Sequence, residues 1–128
     1  MESKALAQQW WRRQRGDAAE QRASKWLRVK GLTLVAQNWQ CRLGEIDLIM
    51  QHDDTLVFIE VRYREQEHFG GALASVDHHK QRRLVAAARH YLAKHPRWAN
   101  SCCRFDVIAF SGTTSTPTWI ENAFYGDE

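Results

Sequence analysis

Residues 45–63 read EIDLIMQHDDTLVFIEVRY. Two apolar, β-branched runs, Glu45–Met50 and Leu56–Tyr63, flank a polar HDDT segment, which is the pattern of a β-hairpin. With the turn centred between Asp53 and Asp54, Asp47 falls directly opposite Glu60, and Glu45 opposite Arg62. Period-two alternation places Glu45, Asp47 and Ile49 on one face together with Phe58, Glu60 and Arg62. The other face carries Ile46, Leu48, Met50, Val57, Ile59 and Val61. It is apolar throughout and is the predicted core. A slip of one residue would turn every side chain over, so the apolar pattern specifies the register.

Two carboxylates facing one another across neighbouring strands have Cβ atoms about 4.5–5.5 Å apart and repel. A divalent cation offsets that repulsion, and hard oxygen donors suit Mg²⁺ or Mn²⁺. The competing reading is a solvated outer face on which Glu45 and Arg62 form a surface ion pair; spacing alone leaves both open. A metal held by an Asp and a Glu polarises a phosphoryl oxygen and stabilises the charge that builds on phosphorus. Phosphodiester cleavage needs that, together with basic groups to hold the backbone.

Before the hairpin, Gly16–Lys30 has helical periodicity, with Ala19, Ala23, Trp26 and Leu27 on one stripe and Gly31 as its stop. Residues 1–15 either extend this helix or form a basic arm. Their Trp10, Trp11, Arg12, Arg13 and Arg15 suit base stacking with phosphate binding, though such a cluster is more often core plus solvated arginines. Leu32–Cys41 reads as a strand.

After the hairpin, Arg64–Ser75 is a loop centred on Gly70-Gly71, without the spacing of a phosphate-binding loop. A helix from about Asp77 to His95 follows, with Leu84, Val85, Ala88, Tyr91 and Leu92 as its buried stripe. Lys80, Arg82, Arg83, Arg89 and Lys94 are its solvated side, and Pro96 closes it. Lys80, Arg82 and Arg83 read either as a grip on a phosphate backbone or as a wet helix face. His78 and His79 are adjacent on a helix and point apart, so they read as exposed polar residues rather than a shared ligand pair. Arg104–Phe110 is a further strand, and residues 112–128 are a loop and tail with a short edge strand around Trp119–Asn122. Asp106, between apolar neighbours, needs partners and reads as structural or supporting rather than as a direct ligand.

The order is αβββαβ, an α/β class chain expected to form one domain over residues 1–128. The net charge of +3 permits an anionic partner without demanding one. Three cysteines, Cys41, Cys102 and Cys103, form no CxxC pair, which argues against a zinc ribbon or a disulfide framework and for reduced thiols in the cytoplasm. No apolar run approaches the ~20 residues of a membrane span, and the N-terminus lacks the order of a signal peptide.

GEIDLI (44–49), VFIEVRYR (57–64), SVDHHKQRRLVAAARHYL (75–92) and RFDVIAF (104–110), in that order, resemble the YraN family of small bacterial proteins from about Gly16 to Phe124. The resemblance implies a restriction-endonuclease-like PD-(D/E)XK fold, an αβββαβ core with a mixed central sheet flanked by helices. Its motif order is similar to that of archaeal Holliday-junction resolvases. What it implies for function is metal-dependent endonuclease action on nucleic-acid phosphodiesters, DNA first, at branched or otherwise structured sites. In that pattern Asp47 corresponds to the metal-binding Asp and Glu60 to the acidic residue of the E-x-K element. Glu20 corresponds to a helical Glu that reaches the metal shell, and the Val61 main-chain carbonyl to a further ligand. Position 62 departs from it, with Arg62 standing where the superfamily carries Lys. Arginine grips a phosphate but does not give up a proton; Lys80 is the alternative source of that ammonium. Two other functions stay open: a catalytically weakened nucleic-acid binder on the same fold, and a protein-interaction module that uses the acidic hairpin face. Analogy with junction enzymes makes a homodimer plausible, but the sequence itself does not show one.

Overall fold

In the computed structural model, residues 2–64, 76–112 and 116–126 are described, with side chains for 16–63, 76–112 and 116–126. The chain begins with α1 (Glu2–Val29). Residues 2–15 therefore extend the helix rather than form an arm; the side chains of Trp10, Trp11, Arg12, Arg13 and Arg15 lie outside the described residues. The helix ends in a Schellman closure: Gly31, at φ 103°, donates to the Arg28 carbonyl and Leu32 to the Leu27 carbonyl, both at 3.0 Å. Leu32 and Leu27 then meet in the same core.

Three antiparallel strands follow, β1 (Thr33–Cys41), β2 (Gly44–His52) and β3 (Thr55–Arg64). The β2–β3 turn sits where the hairpin register requires, with Asp53 at φ 54°. The expected Gly70-Gly71 loop falls outside the described residues. Helix α2 (His78–Lys94) starts on Asp77, whose carboxylate caps the Lys80 amide at 2.8 Å, and a 3₁₀ turn (Pro96–Trp98) ends the segment. β4 (Cys102–Ser111) returns parallel to β3. β5 (Thr118–Phe124) pairs antiparallel to β4, so the short edge strand expected around Trp119–Asn122 is a full seven-residue strand.

The result is an α/β fold: a mixed five-stranded sheet, ordered β1-β2-β3-β4-β5, between two helices. This agrees with a restriction-endonuclease-like core. α1 packs Ala19, Ala23 and Leu27 on Leu48, Met50, Val57, Ile59, Ile108 and Phe110. On the opposite face α2 packs Leu84, Ala87, Ala88 and Tyr91 on Ile49, Leu56, Phe58, Phe105 and Val107.

Two expectations need correction. The face carrying Ile49 and Phe58 is not an outer face, because both are 0% exposed beneath α2. β2 and β3 are central strands covered on both sides, and only the ends of that face bear charge. Ile46 also leaves the predicted face and packs with the α2-side cluster, beside Trp39. Ala36–Ile49 and Trp39–Ile46 share a face although they lie three residues apart on each strand. Alternation therefore skips a step between them, where Asn38 takes φ 52° across from Asp47.

Candidate functional site

The recorded β2–β3 pairs end at Leu48–Ile59, in the register that sets Asp47 beside Glu60. Past that pair the main-chain ladder gives way to side chains. Asp47 Oδ2 accepts the Val61 amide at 2.8 Å, so a carboxylate fills the role that a strand carbonyl has elsewhere. Asp47 also shares side-chain hydrogen bonds with Glu60 and with Glu20, which arrives from α1. Three carboxyl groups from three elements thus meet where β2 and β3 part. Glu60 is the most enclosed of them, at 2% exposure.

Burial and mutual charge shape this centre. Desolvation, then the charge of Asp47, push Glu20 up to about 8. The same two causes push Glu60 up to about 8, opposed by Lys80 and Arg62. Asp47 is raised by burial, with the Val61 amide pulling the other way. Near neutrality the cluster therefore retains protons that solvated carboxyls would release. Glu60 Oε1 and Glu20 Oε1 are buried with no hydrogen-bond partner among the described residues. A buried carboxyl oxygen without a donor is costly, and an ion or a proton in the cluster relieves it.

The opposite Glu60 oxygen, Oε2, is met by Arg62 Nη1 at 3.2 Å and by Lys80 Nζ at 3.6 Å. Lys80 is therefore not on the solvated side of α2 as expected. It is part-buried and stands four residues before Leu84, in phase with the buried Leu84, Ala87, Ala88 and Tyr91. The signal lay in that periodicity, which runs back from Leu84 to a lysine just after the N-cap.

The other candidates divide. Arg83 lines a groove of about 450 Å³ with Gln40, Glu45, His79 and Lys80, next to the carboxylates. Gly44 borders it, so close that a Cβ there would meet the Arg83 carbonyl oxygen at 3.0 Å. Arg82 points to the other flank of α2 with His78 and Arg89. The basic trio Lys80, Arg82, Arg83 is thus split. Glu45 is exposed and accepts from Gln40 Nε2 at 3.3 Å.

Asp106 is fully buried and accepts from Arg104 Nε at 3.0 Å, Trp119 Nε1 at 2.9 Å and the Asn122 amide at 2.9 Å. None of these partners belongs to the carboxylate centre. Cys102 and Cys103 are exposed free thiols at the entrance of β4.

Among the described residues no three His, Cys, Asp or Glu side chains form a ready-made ion cage. The donors available to a cation are Asp47, Glu60 and the neighbouring Val61 main chain, with Glu20 bonded to Asp47 behind them.

The description "Uncharacterised protein family UPF0102" matches residues 19–110. A UPF0102 protein of Alcanivorax borkumensis is 52% identical over 115 residues, covering 88% of this chain and 92% of its own. One from Aeromonas hydrophila is 54% identical over 111 residues, covering 86% of this chain and 84% of its own. Another from Pseudomonas fluorescens is 49% identical over 111 residues, covering 87% and 92%. The matched span holds α1 from Ala19, the hairpin, α2 and β4, and so every residue of the carboxylate centre. The chain belongs to the uncharacterised protein family UPF0102, the YraN family of its sequence motifs.

Proposed function

We propose that this chain is a metal-dependent endonuclease that hydrolyses nucleic-acid phosphodiesters, with branched or otherwise structured DNA as its first candidate substrate. The observation that carries this reading is the buried Glu60 Oε1, without a partner among the described residues, beside Asp47. Two hard oxygen donors in one buried place, with a main-chain carbonyl adjacent, fit Mg²⁺ or Mn²⁺. When bound by Asp47, Glu60 and the Val61 carbonyl, such an ion supplies Lewis acidity at a phosphoryl oxygen.

The chain's own residues supply the rest. Lys80 and Arg62 are 31% and 23% exposed at their side chains, so each can balance Glu60 and still present charge to a phosphate. Glu20, hydrogen-bonded to Asp47, holds that carboxylate in orientation and retains a proton near neutral pH. His79 and Arg83, in the adjoining groove, hold the flanking backbone.

The test is cleavage of branched, single-stranded and duplex DNA, and of RNA, with Mn²⁺ or Mg²⁺. Cutting that stops with a chelator and with Asp47→Asn supports the reading. Intact substrates in all four classes overturn it. Arg62, in place of the superfamily Lys, favours a second reading, a binder that retains the fold without turnover; it would shift DNA on a gel without cutting it.

A further inference from the structure

α2 carries two basic stripes. His79 and Arg83 flank Lys80 on the carboxylate side, whereas His78, Arg82, Val85 and Arg89 follow one another at steps of four, three and four on the other flank. The second stripe is one wall of a groove of about 830 Å³, and Phe124, Tyr125 and Gly126 at the end of β5 are the other. Gly126 seats that wall on the core, since a Cβ there would lie 2.7 Å from Phe105 Cε2. Arg89 Nη2 donates to the Gly126 carbonyl and ties the walls together. On this fixed backbone Tyr125 stands 72% exposed. Arg82 is exposed and makes no hydrogen bond or ion pair among the described residues. Among the described residues no Asp or Glu lines the groove.

We infer that this groove binds an unpaired nucleic-acid strand, with Tyr125 stacking on a base while Arg82 and Arg89 neutralise phosphates. An exposed ring on a concave wall meets a base face only where the base has left its stack, so the geometry selects a single strand over a duplex. From His78 to Arg89 the stripe rises about 16 Å, enough to follow a short run of nucleotides. The inference rests on the nucleic-acid substrate proposed above and adds to it a track on the far side of α2, away from the carboxylates.

Fluorescence polarisation of the full chain with a labelled oligothymidylate and its ribose counterpart, in chelator, tests it without any cutting. Tyr125→Ala should weaken binding about tenfold or more and leave the salt dependence unchanged. Arg82→Ala should weaken it and lower the slope of log affinity against log salt by about one. An abasic strand of equal length should bind wild type and Tyr125→Ala alike. Both substitutions are at exposed positions and should fold, as circular dichroism will report. Wild-type affinity in both variants, equal binding of a duplex, or displacement by polyglutamate of matched charge overturns the inference. If these effects appear but no metal supports cleavage, the groove stands and the nuclease reading falls.

Discussion

Lys80 Nζ stands 3.6 Å from Glu60 Oε2, the oxygen that Arg62 Nη1 meets at 3.2 Å. The two cations come from different elements: Arg62 lies two residues along the same strand, Lys80 in the first turn of α2. That turn is held by the Asp77 carboxylate on the Lys80 amide itself. The helix thus delivers an ammonium to the same carboxyl that Arg62 meets from the strand.

If Lys80 supplies that ammonium, Lys80→Met should lower Mn²⁺-supported cleavage by roughly a hundredfold, the usual effect of removing one electrostatic stabiliser. Arg62→Lys should retain activity, because charge at position 62 is kept. Steady-state kcat/KM on a branched substrate measures both. Full activity in Lys80→Met with a loss in Arg62→Lys would assign the role to Arg62 instead.

The metal-free protein should lose stability as pH rises. Glu20 and Glu60 titrate near 8 in the folded chain but in the ordinary carboxylate range when unfolded. Between about pH 4.5 and 8 the native state therefore binds more protons, and stability falls across that window. Thermal melts in chelator should show Tm decreasing, with Glu60→Gln flattening the slope. Added Mn²⁺ should raise Tm more at pH 8.5 than at pH 6, since it needs the deprotonated carboxylates. An unchanged slope in Glu60→Gln contradicts this.

Asp47 has two separable duties. Asn at this position still accepts the Val61 amide but carries no charge, so Asp47→Asn should keep or raise the Tm of the metal-free protein and lose the Mn²⁺ response. Asp47→Ala leaves a buried amide without an acceptor and should cost about 1–3 kcal/mol. Chemical denaturation of the two variants separates these effects.

The hairpin could be read from sequence because its apolar residues and its turn demanded one register, and the observed pairs Leu48–Ile59 through His52–Thr55 follow it. The opposition of Asp47 and Glu60 came with that register. The identity of the covered face did not, since a central strand is apolar on both sides and the charges at its end imitate an outer face. Lys80 was hidden for a related reason: a lysine beside arginines looks solvated, and only the burial of Glu60 draws it inward. The break at Asn38 has no marker in composition, since it depends on the backbone at one position. Glu20 rested on family resemblance, because contact between α1 and the hairpin is a matter of tertiary packing.

Asp106 should prove structural. Asp106→Ala would strip the acceptor from Arg104, Trp119 and Asn122 and should cost about 3 kcal/mol or more, lowering Tm by roughly 10 °C. Below that temperature its Mn²⁺ affinity should match wild type. A weakened ion response in the folded variant would place Asp106 in the metal's support instead.

The central claim is that Asp47 and Glu60 share one divalent ion. Anomalous diffraction from crystals soaked in Mn²⁺ at pH 8.5 addresses it directly. A single anomalous peak in contact with both carboxylates and the Val61 carbonyl is the expected result. A map without that peak, with Asp47 still hydrogen-bonded to Glu20 and Glu60, would contradict it.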